Sequence, residues 1–131
     1  MGIARFLKGA FVVSVLIYGG VAVFVAGPPD WSLPTVPAAP GMAPLFYALT
    51  LCALGTWAAG MILGRRAQAP SLFRSGPRPW PLQRFILAAA LVEGGALLGL
   101  ALSLVLKDSR YGLAHAAVAA FLLILLPVSE E

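Results

Sequence analysis

One carboxylate lies deep inside the apolar part of this chain. Glu93 is the only acidic residue in any of four long apolar runs, near the middle of the third. A charge at bilayer depth is costly, so intramembrane carboxylates mark proton or ion sites or pair with neighbouring helices. His115, the single histidine, lies in the fourth run. If the third and fourth runs pair antiparallel, a rise of 1.5 Å per residue puts His115 on the order of 5–10 Å outward of Glu93. A water can bridge that gap, so the two form a candidate ion-binding or proton-relay pair. The alternative is a polar histidine near the membrane interface. Ser14, Tyr18 and Thr50 add hydroxyls within the runs, each able to bond its own helix or a neighbour. Cys52 is the one cysteine. It cannot make an intrachain disulfide and reads as a small buried hydrophobe.

No His, Cys and carboxylate set has metal-ligand spacing, and one histidine cannot hold a haem from both sides. No phosphate-binding loop, nucleophile–base pair or dinucleotide fingerprint is present. Neither a metal, a cofactor nor an enzymatic activity is therefore expected.

The elements that must position Glu93 follow from composition. Of 131 residues, 60% are hydrophobic and 11% charged, whereas a soluble domain carries roughly 25% charged residues. Lipid must supply much of the solvent. A spanning helix needs about 20 mostly apolar residues. The runs at 9–27, 42–64, 85–106 and 111–128 meet or approach that length. The expected fold is all-α: a polytopic membrane protein with four transmembrane helices in a single bundle domain. Arg5 and Lys8 precede the first run. A cut after Ala26 would put Phe24 where a small residue is wanted, and a cut after Gly27 would abut Pro28. The run is therefore read as a retained helix rather than a signal peptide.

The net charge of +4 does not point to nucleic acid, because the basic residues cluster at the ends of apolar runs. The segment 65–84 carries Arg65, Arg66, Arg74, Arg78 and Arg84, whereas 28–41 has no Lys or Arg. An excess of Lys and Arg marks the cytoplasmic side, so both termini and the arginine-rich loop are expected inside. Lys107 and Arg110 dissent mildly on the outer side. The arginines serve topology and lipid headgroups, and Trp80 lies among them. The external loop holds Pro28, Pro29, Pro34, Pro37 and Pro40 with Trp31, an interfacial anchor type, and is expected to be extended.

Small residues let helices approach closely in lipid. Gly95, Gly99 and Ser103 line the third helix, Gly60 and Gly64 the second, and Gly112, Ala116 and Ala120 the fourth. Short connections make successive helices antiparallel neighbours. A faint parallel repeat aligns Arg5-Phe6-Leu7 with Arg84-Phe85-Ile86 and sets Ser14 opposite Glu93.

One stretch carries a family resemblance. The second run ends Ala58-Ala59-Gly60-Met61-Ile62-Leu63-Gly64, the loop opens Arg65-Arg66-Ala67-Gln68-Ala69-Pro70, and the third run reads Ala90-Leu91-Val92-Glu93-Gly94-Gly95-Ala96-Leu97-Leu98-Gly99-Leu100. This resembles the hairpin of the proteolipid ring subunit, subunit c, of rotary ATP synthases. The resemblance covers about a third of the chain. It implies that Glu93 binds and releases a proton, or a sodium ion with other ligands. In overall plan alone the chain is also similar to the small multidrug transporters, which implies a proton-coupled antiporter.

The leading expectation is a small integral subunit or assembly partner of a larger membrane complex, without catalysis of its own. Proton or sodium binding at Glu93 and His115 is the alternative, and an antiporter the second. The expected partners are the lipid bilayer and other membrane subunits or further copies of the chain. The expected location is the bacterial cytoplasmic membrane.

Overall fold

The structure, a computed structural model, describes residues 2–66 and 81–128. Four helices follow in order: α1 (Ile3–Ala26), α2 (Met42–Arg66), α3 (Pro81–Leu106) and α4 (Ser109–Leu125). The first three are long and apolar enough to cross a membrane; α4, with 17 residues, is a shorter apolar helix. Its length is about 25 Å, against roughly 30 Å of hydrocarbon. Large apolar side chains such as Val13, Ile17, Phe24, Leu51, Ile62, Phe121 and Ile124 point outward, which suits lipid as the solvent. The chain is a helical membrane protein.

The boundaries differ from those expected. α1 begins at Ile3 rather than 9 and α3 at Pro81 rather than 85. Hydropathy sees only the hydrocarbon-facing part, whereas a helix that keeps its backbone bonded continues through its polar flank. α4 runs from Ser109 to Leu125 rather than from 111 to 128. Leu126 is extended at ψ 122, as a residue before proline must be.

α3 is the hub. Only 17% of the apolar stretch of α1 or of α2 is buried within the bundle, against 44% of that of α3. α3 packs on all three other helices, α4 also packs on α1, and α1 and α2 do not meet among the described residues. The expectation that successive helices are neighbours therefore fails at the first connection. Segment 27–41 is long enough to carry the chain across the end of α4. Gly27 (φ 91) and Gly41 (φ 79) turn the backbone at its two ends in the left-handed region that favours glycine.

This strap is tied to the start of α4. The Asp30 carboxylate accepts from Ser32 N and Oγ at 2.9 and 2.7 Å. Arg110 donates to Ser32 Oγ and pairs with Asp30 at 3.4 Å. Tyr111 donates its hydroxyl to Thr35 O at 2.5 Å. Asp108 N-caps α4 by accepting from Arg110 N at 3.0 Å and holds the Arg110 guanidinium at 2.7 Å. At the opposite end Lys8 Nζ donates to Ile124 O (2.6 Å) in the last turn of α4 and to Leu126 O (2.9 Å) at its C-cap. A cation suits that helix end. The start of α1, the end of α2, the start of α3 and the end of α4 thus lie at one end of the bundle.

The small residues read from the sequence are where helices close. A Cβ on Gly60 would lie 2.8 Å from the Ala88 carbonyl oxygen, and one on Gly64 2.5 Å from Leu126. One on Gly112 would meet Ala22 at 2.6 Å. Ser103 Oγ accepts from Gly112 N at 2.6 Å. Gly19 meets Ala116, and Ala120 packs against the core. Gly95 and Gly99 act differently: they are notches for side-chain rings, those of Trp57 and His115. Cys52 is exposed rather than buried, on the outer face of α2.

Two outcomes follow from this packing. Gly60→Leu meets backbone that cannot yield and lowers stability by about 1–3 kcal/mol, whereas Gly55→Leu on the same helix, where the space is open, is neutral; denaturation in detergent followed by tryptophan fluorescence compares them. The second concerns acid. The Arg110 guanidinium beside Asp108, and the Ser32 hydroxyl and N–H on Asp30, hold both carboxyls below their ordinary 3.8. A depressed carboxyl stabilises the fold above its unfolded value and loses that contribution as pH falls through the lower folded value. Amide-exchange protection of the strap, corrected for intrinsic rate, stays constant from neutral pH down to about 4 and falls below it. Arg110→Gln reproduces the loss at neutral pH.

Candidate functional site

α3 places Glu93 on the seam between two environments. Ala89 and Ala96, on the side facing α1, are fully buried. Ala90 and Leu97, on the other side, are exposed, and Glu93 itself is half-buried. The carboxylate therefore stands at the edge of the α1–α3 interface.

α1 supplies its partners. Ser14 and Tyr18 are four residues apart, hence on one face of the helix one turn from each other. Ser14 Oγ and Tyr18 Oη both donate to the same atom, Glu93 Oε1, the tyrosine at 2.6 Å. Oε2 takes no hydrogen bond from the described residues. Such an arrangement has a chemical consequence. An ionised carboxylate accepts at either oxygen, and a protonated one keeps a carbonyl oxygen that still accepts. With the proton on Oε2, Oε1 holds both hydroxyls as before.

His115 belongs to a different network. Its Nδ1 lies 2.8 Å from Tyr111 O, within α4. Its ring rests on Trp57 at 5.5 Å between centroids and in the notch left by Gly99. Glu93 and His115 thus stand in separate hydrogen-bonded groups, and the partners of Glu93 come from α1 rather than α4. Trp57 Nε1 donates to Val92 O at 3.1 Å, one residue from Glu93 on the chain, and so clamps α2 to α3. The signal for that bond was a tryptophan in mid-helix, whose N–H needs an acceptor once buried.

The remaining residues named from the sequence are spread over the molecule. Thr50 Oγ1 is buried without a hydrogen-bond partner among the described residues. Arg65 is exposed and Arg84 half-buried, at the end of the bundle where Lys8 caps α4. Arg66 is the last residue of α2, while Arg74, Arg78 and Trp80 lie outside the described residues. Among the described residues no group of three His, Cys, Asp or Glu side chains gathers as metal ligands.

Ser14 and Tyr18 were legible only as hydroxyls in the first run. The faint repeat set Ser14 and Glu93 at equivalent positions, which carries no expectation of contact; their hydrogen bond is a finding of the fold. Tyr18 had no signal of its own, since its role depends on which helix α3 meets.

Double-mutant cycles test the contacts. Ser14→Ala and Tyr18→Phe each couple to Glu93→Ala by about 0.6 kcal/mol and at most about 1.7, the range of interhelical hydrogen bonds in membranes. Ser14→Ala with His115→Ala gives no coupling. Stability in mixed micelles is the readout, and additivity of Tyr18→Phe with Glu93→Ala would refute the bond.

Comparison of the chain with protein families, characterised proteins and solved structures returns no match.

Proposed function

We propose that this protein is a small integral membrane protein that carries a proton on Glu93, with Ser14 and Tyr18 as the groups that position the carboxyl. One observation carries the reading: two hydroxyls from α1 converge on a single oxygen of Glu93, in the middle of an apolar helix, and the other oxygen takes no hydrogen bond from the described residues. The similarity of 58–70 and 90–100 to the proteolipid hairpin supports the same reading, and so does the position of Glu93 beside an open face of α3, where a proton can be exchanged. In this proposal all four helices lie within the bilayer of a bacterial cytoplasmic membrane. Both termini and segment 67–80 face the cytoplasm, in accord with the arginines.

A second reading keeps the expected subunit role. Both donors come from α1, a helix that buries little of its own surface, so Glu93 can serve purely as a tether holding α1 in an accessory subunit of a larger membrane complex. Glu93→Gln separates the two. The amide oxygen still accepts from Ser14 and Tyr18, so the tether survives, whereas proton carriage is abolished.

In membranes, dicyclohexylcarbodiimide, an electrophile to which protonated carboxyls in apolar surroundings add, forms an adduct on the peptide containing Glu93. The adduct diminishes as pH is raised, and Glu93→Gln abolishes it while leaving the protein folded. Mass spectrometry of the digested protein reads it. Absence of the adduct at every pH would leave the tether as the role of Glu93.

A further inference from the structure

The strap is built with two sides. Asp30, Ser32 and the carbonyl of Thr35, though themselves exposed, are bonded to Arg110 and Tyr111 at the start of α4. The intervening Trp31 and Leu33 turn outward, 87% and 85% exposed. Trp31 sits at φ 61, in the left-handed region that a bulky residue rarely adopts. The Asp30–Ser32 bonds close around it. A large aromatic ring is thus held outward in an unfavourable backbone conformation by three polar anchors. Strain that surrounding contacts over-determine points to a role for the residue that bears it.

The level of the strap identifies what that ring meets. Arg110 and Asp108, with Lys107 beside them, stand where α3 ends and α4 begins, so they mark where the hydrocarbon gives way to headgroups. The strap is bonded to this polar layer and lies at the same depth. Near the end of α1, just before the strap, Phe24 is also 90% exposed. Trp is the side chain suited to that boundary, with an apolar body and a polar N–H.

We infer that the strap is a membrane-interface anchor: Trp31 and Leu33 insert among the lipid headgroups and upper acyl chains, and Arg110 is the positioning residue that holds them there. The partner is the lipid surface, not a soluble protein that binds proline-rich segments. This inference is independent of the role of Glu93.

Single-tryptophan protein (Trp57→Phe with Trp80→Phe) in nanodiscs of phosphatidylcholine tests it. Trp31 emits at shorter wavelength than free tryptophan. It loses most of its emission to lipids brominated near the headgroup end of the acyl chain and little to aqueous acrylamide. Arg110→Gln shifts the emission toward that of free tryptophan. Water-like emission, quenched by acrylamide and indifferent to brominated lipid, would overturn the inference. So would an anchored ring that Arg110→Gln leaves unmoved. Should Trp57→Phe fail to fold, a nitroxide on Trp31→Cys, with Trp57 kept and Cys52→Ala, gives the same decision. More relaxation by oxygen than by a water-soluble nickel chelate supports the anchor, and the reverse overturns it.

Discussion

Close seating on α3 is the constraint on which the rest depends. Helices surrounded by lipid gain little from hydrophobic burial, so they associate through van der Waals packing and a few polar contacts. α3 meets that requirement with positions lacking bulk. At Gly95 and Gly99 the missing side chains make room for the rings of Trp57 and His115. Facing Ala88, the small residue is on the partner, Gly60, and the α2 backbone comes within contact of an α3 carbonyl. A helix that offers notches on several sides can hold three neighbours, and α3 does.

Polar groups then fix what packing leaves adjustable. Trp57 N–H on the Val92 carbonyl sets the register of α2 against α3. Ser103 joins α3 to α4 at Gly112. Glu93 sets α1 against α3 through Ser14 and Tyr18. Of these three contacts, only that of Glu93 involves a side chain that can change its charge. Its carboxyl accepts both hydroxyls at Oε1, while Oε2 takes no hydrogen bond from the described residues.

The two ends of the bundle are closed in different ways. At one end Lys8 reaches across to carbonyls at the C-terminal end of α4, so a basic residue satisfies orphan backbone groups. At the other end Arg110 gathers Asp30, Ser32 and Asp108. This charge counted against the general trend of basic residues on the opposite side, and its local role accounts for its presence there. It pairs with two carboxylates and holds the strap that joins α1 to α2.

Composition and apolar run length by themselves determined that the chain is helical and suited to a membrane, because neither depends on which segment meets which. Glu93 was visible for the same reason: a carboxylate in an apolar run stands out whatever surrounds it. The small residues Gly60, Gly64, Gly112 and Ala116 were legible as contact points, since closeness in lipid needs small side chains. Only the tertiary structure decided their partners. Pairing of Glu93 with His115 looked to α4 for the polar neighbour; among the described residues the hydrogen-bond partners come from α1, which packs on both α3 and α4. Helix adjacency is set by packing of all four elements at once, and a linear pattern holds no record of it. The hydroxyls of Ser14 and Tyr18 acquire meaning only when that adjacency brings both to one oxygen.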